Sequence, residues 1–167
     1  MTIRTLILPI VSLCALLFAG SPQSKKQGEM TTVKPRVRAR AVAKVTVQSS
    51  GAKPYDETAG PALMEIRISE TFTGDIDGES TVRALQVLRD DRSASFVSMQ
   101  RFRGKLGGRQ GTFVLQGSEI VENGKLNAEW FVVPGSGTGD LSRLRGEGGF
   151  EGQFGKGSDA TLDFWFE

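Results

Sequence analysis

The chain has 167 residues, a formal net charge of +2 and no histidine. A charge this close to zero argues against the strong positive field with which proteins gather nucleic acid or anionic membranes. Without histidine there is no imidazole base for serine or cysteine catalysis, and the commonest metal ligand is missing, so we expect no cofactor or metal.

The first 19 residues have the pattern of a secretory signal peptide. Arg4 supplies the positive n-region, residues 6–19 form an apolar run, and small residues follow it. As a helix, that run of about 14 residues reaches only about 21 Å, which is short of a hydrocarbon core of about 30 Å. We therefore expect cleavage after Ala19, a secreted or periplasmic protein, and no stable membrane span after processing.

Cys14 is the only cysteine and lies within this leader. The processed chain would have no thiol and no disulfide, and the loss of Arg4 would leave it a net charge of +1. Lipid attachment to Cys14 is disfavoured, because Leu13 precedes it where a lipoprotein signal requires a small residue.

Residues 20–35 are polar and predict a flexible spacer, followed by a single domain over residues 36–167. The domain begins with a strand over residues 38–49, in which Ala41, Ala43 and Val45 alternate with charged residues such as Arg40 and Lys44. Alternation with period two places these two sets on opposite faces of a sheet.

Seven further alternating segments follow, and no helical periodicity survives after the leader. The second strand covers residues 64–72 and ends at a turn over residues 74–78. The remaining strands are predicted at residues 80–88, 95–103, 112–116, 126–133, 144–154 and 160–167.

Eight short strands separated by turn signals predict an all-β fold, either an antiparallel sandwich or a closed barrel. Closure is favoured, since an exported sheet without disulfides would otherwise expose edges that invite aggregation. We expect an eight-stranded antiparallel closed barrel with a mostly filled interior and a small open mouth.

Four ordered motifs follow one another along the chain. They lie at residues 72–80 (Phe-x-Gly-Asp-Ile-x-Gly-x-Ser), 104–116, 133–141 and the closing segments 146–151 and 162–167. Together they resemble the bacterial domain-of-unknown-function family 3224, and the resemblance covers nearly all of residues 38–167. This family is similar to the allene oxide cyclase barrels of plants, which implies an eight-stranded antiparallel barrel and leaves the biochemistry open.

The chain departs from the family pattern at two polar positions. The resemblance implies a carboxylate in many members where Gln100 stands, and a histidine where this chain has Gly117. If those groups perform acid or base chemistry, this chain lacks them, so the resemblance favours the fold more than it favours an enzyme.

Several other motifs have simpler structural explanations. Ser136 sits in a Gly-Ser-Gly triplet, but Pro134 stands where a nucleophile elbow has its leading glycine, which argues against a catalytic serine. The segments that flank these glycines are predicted strands, which argues against a phosphate-binding loop. Acidic residues at 75–79 fit turn hydrogen bonding better than a calcium loop. The basic stripe over residues 36–44 fits a solvated sheet face.

Glu70 is the sharpest anomaly, because strict alternation places it on the apolar face of its strand, where a carboxylate needs a partner. A bulge near Thr71 would instead turn it outward. Gln100 has a similar inward position, whereas the facing of Gln116 and Trp130 is not settled by the pattern. We take Glu70, Gln100, Gln116 and Trp130 as the candidate ligand-binding residues and assign no catalytic residue.

Three functions remain open. The sequence favours a non-catalytic binder of one small apolar or amphipathic molecule over a cyclase- or isomerase-like enzyme in which Glu70 steers charge. A third possibility is a protein with a filled core that acts through its outer surface. A cavity lined by Glu70 would support the first two, and the oligomeric state is not predicted.

Overall fold

The computed structural model describes residues 37–153 and 157–167, and the predicted signal peptide and spacer lie outside them. The prediction of an eight-stranded antiparallel closed barrel is confirmed. Each strand pairs with its neighbour in sequence, and β8 returns to pair with β1, for example Leu162 with Ala41. The strands are β1 (Ala39–Asp56), β2 (Leu63–Gly74), β3 (Ile76–Leu88), β4 (Ala94–Leu106), β5 (Arg109–Glu122), β6 (Lys125–Val132), β7 (Leu144–Gln153) and β8 (Ser158–Phe166).

The only helix of the described residues is a single 3-10 turn, Gly139–Leu141. No helix in residues 37–153 and 157–167 is long and apolar enough to cross a membrane.

Several predicted strands were too short. β5 extends from Arg109 to Glu122 rather than over residues 112–116, because the hairpin turn to β4 needs only Gly107 and Gly108, which have φ values of +55° and +80°. The predicted turn over residues 74–78 is also mostly strand. Only Asp75 separates β2 from β3, and its backbone N–H donates to the Val42 carbonyl at 2.9 Å.

β1 continues beyond its partner β8. Their last pair is Val45 with Ser158, whereas Ser49–Asp56 pairs with β2 only within the described residues. The register of β1 against β2 shifts between Val47 and Ser49. This end of β1 is exposed and extends past the barrel wall.

One end of the barrel is filled by aromatic side chains, and we call it the aromatic end. The rings of Phe72 and Phe102 meet edge to face with centroids 5.6 Å apart, and Phe113 lies 4.8 Å from Phe102. Phe102 is completely buried. The wider core cluster adds aliphatic and alanine side chains at positions that include Ala41, Ile76, Leu106, Leu115, Val132, Leu141, Leu144 and Leu162.

Gly78 and Gly104 are directly paired across β3 and β4, and both have a φ of +155°. A Cβ atom on Gly104 would lie 2.2 Å from the Asp77 carbonyl oxygen, which no real structure tolerates. Glycine is therefore required here for two strands to approach closely beneath the Phe102 ring.

Candidate functional site

A cavity of about 120 Å³ lies inside the barrel, at the end opposite the aromatic end. All eight strands contribute apolar side chains or polar groups to its wall, and among the described lining residues only Glu70 and Glu119 are titratable. We call it the carboxylate cavity. Its lining residues are Val45, Val47, Ile68, Glu70, Val82, Ala84, Phe96, Gln100, Glu119, Leu126, Phe150, Gln153, Gly157 and Ser158.

Glu70 points into this cavity, as strict alternation along β2 requires. β2 pairs with β3 without interruption from Leu63 to Phe72, so β2 carries no bulge at Thr71 that would turn Glu70 outward. The register shift lies in β1 instead, between Val47 and Ser49. Because the extra residue sits in the partner strand, the side chains of β2 keep their facing.

Two side chains from neighbouring strands hold the Glu70 carboxylate. Gln100 Nε2 on β4 donates to Glu70 Oε2 at 2.6 Å, and Ser80 Oγ on β3 donates to the same oxygen at 3.2 Å. Gln100 Nε2 also donates to Ser80 Oγ at 2.7 Å, so the three groups form a closed triangle. Gln100 and Ser80 are almost fully buried, which fixes the carboxylate in one place.

A second carboxylate, Glu119 on β5, lies in the same cavity and was missed from the sequence. Its side chain is 9% exposed, and its Oε1 accepts a bond of 2.5 Å from Ser98 Oγ on β4. Gly117 stands beside this pair. A Cβ atom at Gly117 would lie 3.1 Å from Ser98 Oγ and 3.2 Å from Glu119 Oε1, so the missing side chain leaves room for the hydrogen bond.

Burial raises the pKa of both carboxyl groups. For Glu70 desolvation is the main cause and the nearby Glu119 charge raises its pKa further, whereas the hydrogen bonds from Ser80 and Gln100 oppose the shift. For Glu119, desolvation outweighs the bond from Ser98, and the pKa again lies above its ordinary value. Desolvation is thus the main cause of the raised pKa in each group, and a like-charge contribution is present only for Glu70.

The other two candidate residues lie elsewhere. Gln116 is exposed on the outer face of β5, where it pairs with Met99 and Phe131, and it lines no part of the carboxylate cavity. Trp130 points inward but belongs to the packed core, and its Nε1 donates to the Thr161 carbonyl at 3.2 Å. The structure thus brings together Glu70 and Gln100 and separates them from Gln116 and Trp130.

An open groove of about 860 Å³ runs over the outer face of β3 to β6. Four apolar side chains stand half exposed along it: Leu85, Val97, Met99 and Phe131. Charged residues flank them, including Arg83 on β3 and Glu129 on β6. We call this surface the outer groove.

The remaining sequence motifs have structural roles where they are described. Ser136 Oγ accepts from the Val114 N–H at 3.0 Å and donates to the Val133 carbonyl at 2.7 Å, which ties the β6–β7 loop to β5. Asp75 accepts a bond from the Val42 N–H. In the described residues, no three His, Cys, Asp or Glu side chains are grouped so as to hold a metal ion.

The basic stripe of β1 is engaged in surface ion pairs. Arg38 Nη1 lies 2.7 Å from Glu147 Oε1, and Lys44 pairs with Asp159. Arg36, the first residue of the predicted stripe, lies outside the described residues.

The comparisons with known proteins agree with this barrel. The model of a family described as protein of unknown function (DUF3224) matches residues 41–166. A solved structure of a DUF3224 protein of unknown function from Shewanella oneidensis MR-1 superimposes with a TM-score of 0.67 at 28% identity, covering 78% of this chain and 99% of the other. No curated protein matches the chain.

Proposed function

Because the chain belongs to the DUF3224 family, whose description assigns no activity, we propose a function from the geometry of its own barrel: binding of one small apolar or amphipathic molecule. The carboxylate cavity carries this proposal. Its walls are mostly apolar, and its buried polar groups Glu70, Gln100 and Glu119 are held in fixed positions by hydrogen bonds. That combination is typical of ligand pockets, in which apolar walls supply affinity and a few polar groups orient the ligand.

The size of the cavity limits the ligand. An apolar cavity of about 150 Å³ accommodates benzene or xenon. The carboxylate cavity, at about 120 Å³, suits a molecule or a molecular end of similar or slightly smaller bulk. We propose that the protein acts outside the cytoplasm, on the basis of the predicted leader, and that it binds without catalysis. The predicted similarity to allene oxide cyclase barrels stays a prediction.

Xenon and benzene are suitable first probes, because they test access to the cavity without assuming a ligand. We expect either probe to shift the methyl NMR signals of Val45 and Val82. Val82→Phe should fill the space and abolish the shift. Val42→Phe makes the same change on the exposed outer face of β1 and should leave it intact. Unchanged cavity methyl signals in the unsubstituted protein would contradict the proposal.

The natural ligand is best sought by native mass spectrometry of the protein recovered from its own cell envelope. A reproducible added mass should appear with the unsubstituted protein and be reduced in Val82→Phe. A mass retained fully by Val82→Phe would place the bound molecule outside the carboxylate cavity and would count against this function.

A second candidate function is self-association through the outer groove, and the exposed apolar row there favours it. Arg83 lies towards one side of that row and Glu129 towards the other. A two-fold axis would therefore bring Arg83 of one copy onto Glu129 of a second copy, with the apolar rows in contact. Sedimentation equilibrium tests this directly: we expect a dimer that Val97→Glu converts to a monomer, and a monomeric unsubstituted protein would refute it.

A further inference from the structure

We propose that the molecule bound in the carboxylate cavity carries a primary ammonium group, which Glu70 and Glu119 hold at the polar wall. This inference rests on the proposed binding function and narrows the ligand to a small amphipathic amine. It follows from which polar atoms of the cavity still lack partners.

The hydrogen bonds within the cavity leave acceptors without donors. Glu70 accepts both of its bonds at Oε2, and Glu119 accepts its bond at Oε1. Gln100 uses only its Nε2, as a donor. No donor of the described residues bonds to Glu70 Oε1, Glu119 Oε2 or Gln100 Oε1. The donors next to the two carboxyl groups, on Ser80, Ser98 and Gln100, are thus used within the wall, whereas acceptor oxygens there remain.

These oxygens belong to side chains that bulk water reaches poorly. Gln100 is 4% exposed and Glu119 is 9% exposed, and both line the cavity. The unused oxygens are nevertheless not sealed in the wall, so they face the accessible space of the cavity. A ligand that fills this space would remove water from them, which is unfavourable unless the ligand supplies donors, and more so for a carboxylate than for an amide.

An ammonium group meets this demand better than other small head groups. It presents three donors and a positive charge, matching acceptors on two carboxyl groups and one amide. A hydroxyl presents one donor and no charge, and a carboxylate ligand would be repelled. None of the cavity-lining residues is a lysine or arginine that would compete for the two carboxylates.

The two carboxyl groups are close enough to act on one head group. The Glu119 charge contributes to the raised pKa of Glu70, and their hydrogen-bond partners Ser98 and Gln100 are two residues apart on the same face of β4. Apolar side chains of the cavity, among them Val45, Val82 and Phe150, would enclose the hydrocarbon part. A cavity of about 120 Å³ limits that part to a short alkyl or single-ring group.

The test compares three probes of nearly equal shape: n-butylammonium, 1-butanol and butyrate, titrated into the purified protein at pH 7 by calorimetry, with NMR shifts of Val82 and Phe150 to locate binding. We expect n-butylammonium to bind at least about tenfold more tightly than 1-butanol, and butyrate to bind most weakly. Equal or tighter binding of 1-butanol or butyrate would overturn the inference while leaving the proposed function standing. If none of the three binds in the cavity, both fail.

Substitutions test whether the carboxylates cause the expected preference for the ammonium probe. Glu119→Gln preserves shape and the acceptor for Ser98, and it should weaken n-butylammonium at least about tenfold while changing 1-butanol less than about threefold. Glu79→Gln makes the same change on the exposed outer face of β3, away from both the carboxylate cavity and the outer groove, and should change neither. Equal losses for ammonium and alcohol in Glu119→Gln would refute charge recognition. Circular dichroism verifies folding, and the comparison of probes in the unsubstituted protein needs no variant.

Discussion

Glu119→Gln should change how the stability of the protein depends on pH. The pKa of Glu119 in the folded protein lies above its ordinary value of 4.5, so the folded state retains a proton that the unfolded chain has released. The contribution of Glu119 to stability is therefore fully present below pH 4.5 and is lost as the pH rises towards the folded pKa. Glu70 acts in the same direction.

The size of this effect follows from the number of protons. In the interval where the folded state keeps one proton and the unfolded state has lost it, the free energy of unfolding falls by about 1.4 kcal/mol per pH unit. Two such carboxyl groups would give at most about twice that slope. Glu119→Gln removes one of them, so the slope above pH 5 should decrease by up to about 1.4 kcal/mol per unit, and the variant should be more stable than the unsubstituted protein at pH 7.

Urea denaturation followed by Trp130 and Trp165 fluorescence between pH 5 and pH 8 measures this slope. Asp56 and Asp91 do not interfere, because hydrogen bonds from Thr58 and Ser93 lower their pKa values below the ordinary 3.8. The exposed Glu79→Gln is the control and should leave the slope unchanged. Parallel curves for Glu119→Gln and the unsubstituted protein would refute the claim that burial of this carboxyl group costs stability when it is charged.

Three further predictions concern the barrel wall and core. Gly104→Ala should cost more than about 3 kcal/mol, because its Cβ meets backbone, whereas Gly108→Ala, also at positive φ but in open space, should cost about 1 kcal/mol; comparable losses would refute the packing argument. Phe102→Ala should cost about 3–5 kcal/mol in urea unfolding, and a loss below about 1 kcal/mol would show that the aromatic end is not tightly packed. Glu147→Gln, which breaks an exposed pair with Arg38, should cost less than about 1 kcal/mol, and a larger loss would mean that this pair is not solvent-screened.

The sequence was sufficient to predict the barrel, because alternation survives in strands that have one buried face. Ala41, Ala43 and Val45 are buried, while Val42 and Lys44 between them are exposed, as period two requires. Strand ends were harder to predict. Glycine both terminates strands and permits close strand contacts, so Gly78 was interpreted as a turn residue although it lies within β3.

The candidate site was predicted only in part for the same reason. Ending β5 at Gln116 hid the continuation of its inward face through Gly117, Glu119 and Val121. A strand four residues longer would have placed Glu119 on the face of Leu115, so the signal was present in the alternation. Gln116 lies outward by the same rule, and its polarity alone gave no information about facing.

Because the aromatic end is packed, the interior of the barrel can be reached from one end only. A molecule bound as proposed in the carboxylate cavity would have to enter and leave through one portal, at the end of the barrel opposite the aromatic end, since Phe102 and its neighbours fill the aromatic end. Changing the width of that portal alters the energy barriers for binding and for release equally. It therefore changes the exchange rate of the bound molecule but not its equilibrium affinity. Residence time and affinity can therefore be changed by substitutions at different positions, residence time at the portal and affinity at the cavity wall.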